Sequence, residues 1–121
     1  MRFMSIYTPD PSLDENVPPR AEEIAKVDAL IKEMSAAGVL LVTEGLKPSS
    51  TGARLEYKNE KVVVVDGPFT ESKELVGGYA IIQVNSKAEA IEWVKRFLGV
   101  MGGGKAEVRE MHECSDFEHV E

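Results

Sequence analysis

Cysteine is nearly absent: Cys114 stands alone, so no internal disulfide framework holds this chain together. Histidine is almost as scarce, with His112 and His119 both near the C-terminal end. No apolar run approaches the roughly 20 residues that a membrane-spanning helix needs. The opening Met1 to Tyr7 is too short for a signal peptide and is soon interrupted by Pro9 and Pro11, so the cytoplasm is the expected location. Cations are also in short supply, 14 Lys and Arg against 21 Asp and Glu, for a net charge of −7. They are scattered rather than clustered, which argues against nucleic acid as a direct ligand.

What remains is the composition of an ordinary globular domain, 43% hydrophobic and 29% charged. At 121 residues the chain fits one domain, residues 1–121, large enough to bury a core. Residues 112–121 form a polar, acidic tail. That tail holds the one metal-like grouping, His112, Glu113, Cys114, Asp116 and His119, whose spacing matches no standard motif. Gly102-Gly103-Gly104 lacks the Gly-Lys-Ser/Thr and following helix of a phosphate loop. No metal and no cofactor are expected.

Arg2 to Thr8 reads as a first strand, stopped by Pro9-Asp10-Pro11. The long loop to Pro19 reads as a lid or as a plain floppy connection. From Arg20 to Ala37, Ile24, Val27, Leu30, Ile31 and Met34 recur at helical spacing, and Gly38 supplies the stop. Val39 to Leu46 is a second strand. Ala53 to Tyr57 and Lys61 to Val65 make a hairpin around Lys58-Asn59-Glu60. Its second arm, Val62-Val63-Val64-Val65, is four β-branched residues in a row, the pattern of a strand buried on both faces. Tyr79 to Val84 is the next strand. Ser86-Lys87-Ala88-Glu89 is a capping box that opens a second helix, striped by Ala90, Ile91, Val94, Phe97 and Leu98 with Trp93 toward a flank. Ala106 to Met111 is the last strand.

With the extra hairpin arm set aside, the order is βαββαβ, an α+β, ferredoxin-like arrangement with both helices on one face of the sheet. Two helices leave the other face bare, yet Val39 to Val42, Val62 to Val65 and Ala80 to Val84 are apolar on both sides. A homodimer through the sheet face is the expected cover.

Asp66 is the leading site candidate, a carboxylate at the end of an apolar strand before the Gly67-Pro68 turn. Burial would draw it toward a general acid or base, whereas an Asx-type turn would use its oxygen only to hold the backbone. Phe69 and Tyr79 either line an apolar pocket with a phenolic handle or simply pack the core. Glu71, Lys73 and Glu74 read as a ligand-contacting run or as solvated charges. Glu44, at the end of its strand, is a second carboxylate that could pair with Asp66.

Asp66-Gly67-Pro68-Phe69-Thr70-Glu71-Ser72-Lys73-Glu74, with the following Gly77-Gly78-Tyr79, resembles the signature of the DGPF branch of the YCII-related family. Gly38-Val39-Leu40 leading to Glu44-Gly45-Leu46-Lys47-Pro48, and the helix around Ala90-Ile91-Glu92-Trp93, are similar to the family in the same order. The likeness runs from Met1 to Met111. It implies a dimeric α+β barrel with Asp66 as the catalytic candidate. Glu44, Gly67, Pro68, Phe69, Glu71, Lys73 and Tyr79 are then its ligand contacts. It also implies a small-molecule site or weak enzyme, or else a non-catalytic regulatory protein linked to extracytoplasmic-function sigma factors. One departure stands out. The His–Asp pair attributed to other YCII-related proteins has no histidine here on the first helix or in the strands before Asp66.

Overall fold

The computed structural model describes residues 1–10, 18–68 and 75–117. Four strands form one antiparallel sheet: β1 (Arg2–Thr8), β2 (Leu40–Gly45), a later strand Gly78–Gln83 and a last strand Lys105–Glu110. Between β2 and Gly78–Gln83 the chain makes a separate two-stranded ribbon of β3 (Ala53–Lys58) and β4 (Lys61–Asp66), so the two later sheet strands are β5 and β6. The sheet order β2-β5-β1-β6 is the ferredoxin-like one expected from the element order, with the hairpin inserted.

β1 lies at the centre because both its neighbours pair along nearly its full length, Ser5 opposite Ala80 on one side and Val108 on the other. Its alternation is strict: Phe3, Ser5 and Tyr7 are buried, and the residues between them are half-buried. The buried side faces helices α1 (Ala21–Ala36) and α2 (Lys87–Met101). The core there consists of Phe3, Leu30, Met34, Val39, Ile82, Val84 and Ala90.

α1 begins with Glu22 and Glu23 in its first turn, where acids suit the helix N-terminus, and Arg20 N donates to Glu23 Oε2 at 3.3 Å. Gly38, at φ 72°, ends it, and Val39 N reaches back to Met34 O at 3.0 Å. α2 starts where the capping box places it: Glu89 N donates to Ser86 Oγ at 3.1 Å. Glu89 Oε2 in turn accepts from Asn85 N at 3.1 Å. The helices are tied together by Arg96, whose two guanidinium nitrogens meet the Glu33 carboxylate, Nη2 to Oε1 at 2.8 Å. The same guanidinium stacks 5.1 Å over Trp93.

Three expectations about burial are corrected. The Val62 to Val65 strand is not buried: each valine is roughly half exposed, because among the described residues β4 pairs only with β3 and neither face is covered. A run of β-branched residues reports strand preference, not position in a sheet, and here the ribbon lies outside the layers. On α2 the inward stripe is rotated: Trp93 packs on the core beside Phe97, while Ile91 is exposed. At the start of β2 two-sided burial is not reached either, since Leu41 is 49% exposed beside a register irregularity.

The hairpin turn is tighter than the three-residue reading. Lys58 pairs with Lys61, leaving Asn59 and Glu60, both at positive φ, as a two-residue turn. The tail is more organised than its polarity suggests. Arg2 Nε and Nη2 contact the two Glu113 carboxylate oxygens at 2.8 and 3.1 Å, and a short 3₁₀ turn follows at Cys114–Phe117. Among the described residues, no helix is long and apolar enough to cross a membrane.

Candidate functional site

α1 is amphipathic along its length, yet only Leu30 and Met34 are buried; Ile24, one turn and a half earlier on the same stripe, is 54% exposed. The reason lies beneath it. A cavity of about 430 Å³ lies between α1 and the sheet, lined on α1 from Glu23 to Met34. β1 and β5 supply its floor through Ser5, Tyr7, Ala80 and Ile82, and α2 supplies one wall through Trp93 and Phe97. Its volume and its mostly apolar lining, broken by a few polar groups, are those of a small-molecule site.

The polar groups differ in character. Tyr7 donates its hydroxyl to Gly103 O at 3.2 Å, and its ring meets Phe97 edge-on with centroids 5.2 Å apart. Burial, and secondarily the charge of Asp10, holds its phenol above the ordinary tyrosine range. Tyr7 is therefore a neutral hydroxyl at physiological pH. Thr43 Oγ1 donates to Tyr79 O at 3.0 Å, fixing the β2–β5 edge where Glu44 stands directly opposite Tyr79. Glu44 and Tyr79, both expected as site residues, thus stand side by side at the rim of the cavity, but the register turns their side chains to the sheet face away from the helices, with Ile6, Val42 and Ile81.

A second space of about 290 Å³ is lined by Leu46, Lys47 and Pro48 on one side and Leu75 and Val76 on the other. The two spaces share a seam, because Glu44-Gly45 and Gly77-Gly78 line the first and the residues next to them line the second. Leu46 N to Gly77 O at 2.9 Å and Gly77 N to Tyr7 O at 2.7 Å stitch this seam. Gly67 is anchored beside the second space through its amide to Gly52 O at 2.9 Å. A Cβ at Gly67 would fall 1.8 Å from Ser49 O, so no other residue fits that approach.

Asp66 is exposed at the end of β4, opposite Ala53, and lines neither space. Pro68 is likewise exposed. Phe69, Glu71 and Lys73 lie outside the described residues. Glu44 and Asp66 are not gathered into one cavity. His112 sits in the C-terminal segment, its ring 5.0 Å from that of Phe117, and lines neither space; His119 lies outside the described residues. Among the described residues no group of His, Cys, Asp and Glu could hold a metal.

Ser5, Tyr7, Trp93 and Phe97 were not legible as site residues. Ser5 and Tyr7 do alternate with Phe3 on β1, and Trp93, Phe97 and Val100 recur at helical spacing, so the facing stripes were visible. The gap between them was not.

Residues 1–112 match the model of the YCII-related domain. An uncharacterised protein, R00369, of Rhizobium meliloti (strain 1021) is 30% identical over 69 residues, which is 57% of this chain. The matched part spans 56% of that relative's length. Among solved structures, 5-chloro-2-hydroxyhydroquinone dehydrochlorinase from Burkholderia phenoliruptrix AC1100, in complex with 2,5-dihydroxybenzoquinone, aligns at a TM-score of 0.46 and 15% identity. That alignment covers 96% of this chain and 98% of the other.

Proposed function

The chain belongs to the YCII-related family, and from that premise we propose that it binds a small, largely apolar molecule between the helices and the sheet. The observation that carries this reading is the 430 Å³ cavity under α1, walled by aliphatic and aromatic side chains. Tyr7 and Ser5 on its floor supply the hydrogen-bonding groups that orient a ligand. The proposal stops at binding, because no imidazole or metal cluster accompanies the cavity among the described residues.

The catalytic extension, with Asp66 as acid or base and Gly67, Pro68, Phe69, Glu71 and Lys73 as ligand contacts, rests on the resemblance. What supports it here is the anchoring of Gly67 beside the space that adjoins the cavity. A homodimer through the sheet face is part of the same reading, supported by the half-buried Met4, Ile6, Val42 and Ile81 on the side away from the helices. The alternative, a non-catalytic partner of a sigma factor, has only the resemblance behind it.

The test is a metabolite screen read two ways. A ligand that binds the folded state raises the melting temperature by mass action. Trp93, the single tryptophan, lines the cavity and should change its emission when the cavity fills. Ala80→Phe projects a ring into the cavity from its floor and should abolish both signals. Ligands that shift the melting temperature equally in wild type and Ala80→Phe, with Trp93 emission unchanged, would place binding elsewhere. Asp66→Asn with unaltered affinity from pH 5 to 8 would remove Asp66 from the site.

A further inference from the structure

The register of the β3–β4 ribbon sorts its side chains onto two unlike faces. Leu55 lies opposite Val64 and Tyr57 opposite Val62, so one face carries an apolar ladder, bounded at its far end by the Ala53–Asp66 pair. The other face mixes Val63 and Val65 with Arg54, Glu56, Lys58 and Lys61. Among the described residues nothing covers the ladder: Leu55 is 66% exposed, Tyr57 73%, and Val62 and Val64 57% each. A two-stranded ribbon is at best marginally stable by itself in water, so an amphipathic one needs a surface under its apolar face.

We propose that this ribbon is a clasp that lays its Leu55, Tyr57, Val62 and Val64 face on a second copy of the same chain. Area favours a copy over another partner. A specific interface buries about 800 Å² on each side, and four side chains at this exposure provide only a few hundred. In a two-fold pair each protomer gives its ribbon and receives its partner's, so the ribbon counts twice. The inference rests on the sheet-face pairing proposed above for the remaining area. Charge agrees. Arg54, Lys58 and Lys61 balance Glu56, Glu60 and Asp66, so the ribbon is a neutral stretch of a chain with net charge −7. Two like-charged copies meet there with the least repulsion.

The two faces provide an internal control. Val62→Lys with Val64→Lys puts two ammonium groups on the ladder; Val63→Lys with Val65→Lys makes the same chemical change on the same strand, facing the other way. Sedimentation velocity over a micromolar dilution series should show a wild-type dimer. The ladder variant should dissociate at a concentration at least about 30-fold higher, as expected for losing two buried valines from each protomer, and the other-face variant should dissociate near the wild-type value. Hydrogen exchange of the amides of residues 53–66 in wild type should slow as dimer forms, a readout independent of any variant's folding. Equal effects of the two double variants overturn the clasp, as does protection of 53–66 that does not depend on concentration. Ile81→Lys separates the two proposals: dissociation by that change alone, with the ladder variant still dimeric, leaves the sheet-face pair and removes the clasp. A wild-type monomer at all concentrations removes both.

Discussion

Three glycines near the end of α2 allow one substitution, Gly→Ala, to be given three different outcomes. Gly99 is exposed within the helix and a Cβ there would meet nothing within 4 Å. Alanine gains helix propensity, so Gly99→Ala should stabilise by about 0.5–1 kcal/mol. Gly102 ends the helix at φ 73° with open space around it, so Gly102→Ala carries only the left-handed penalty, about 1–2 kcal/mol. Gly104, at φ 88°, adds a steric conflict: its Cβ would lie 2.7 Å from Thr8 O and 2.8 Å from Tyr7 Oη. The carbonyl belongs to β1 at the centre of the sheet and cannot yield cheaply. Gly104→Ala should therefore cost roughly 2–4 kcal/mol, combining strain with displaced packing. At about 2.1 cal/mol/K per residue, 121 residues give an unfolding entropy of roughly 0.25 kcal/mol/K. The expected shifts are then about +2 to +4 °C for Gly99→Ala, about −4 to −8 °C for Gly102→Ala and about −8 to −16 °C for Gly104→Ala. Calorimetry at one protein concentration measures all three. The reasoning is refuted if Gly104→Ala melts no lower than Gly102→Ala, or if Gly99→Ala lowers the midpoint.

Two further tests address the cap and the tail. Ser86→Ala removes the acceptor for Glu89 N and should cost about 1 kcal/mol, whereas Ser86→Asp should stay close to wild type because it keeps an acceptor and favours the helix N-terminus; urea unfolding that finds the two variants alike would count against the cap. Glu113 is held below the ordinary carboxylate range chiefly by its hydrogen bond to Arg2, which outweighs desolvation, with a lesser contribution from the charge of that guanidinium. A depressed carboxyl contributes stability above its unfolded pKa and loses it as pH falls through the folded value. Glu113→Gln should thus melt below wild type at neutral pH and converge with it in acid, and a gap that persists at low pH would contradict the pairing.

The sequence alone determined those features that depend on near neighbours in the chain. The capping box at Ser86, the stop at Gly38, the stripe of α1 and the ferredoxin-like order of elements are all set within a few residues of each other, and they were legible for that reason. Only the tertiary structure decided where the apolar surfaces go. Val62 to Val65 reads as an interior strand because side-chain type reports strand preference. Whether a strand enters the main sheet depends on its pairing partner, and β4 found only β3. The cavity was invisible for a related reason. Its walls are ordinary stripes on α1, α2 and β1, any of which would serve a filled core. The space exists because α1, α2 and the sheet do not close on one another there, a spacing between elements that no stretch of sequence encodes by itself.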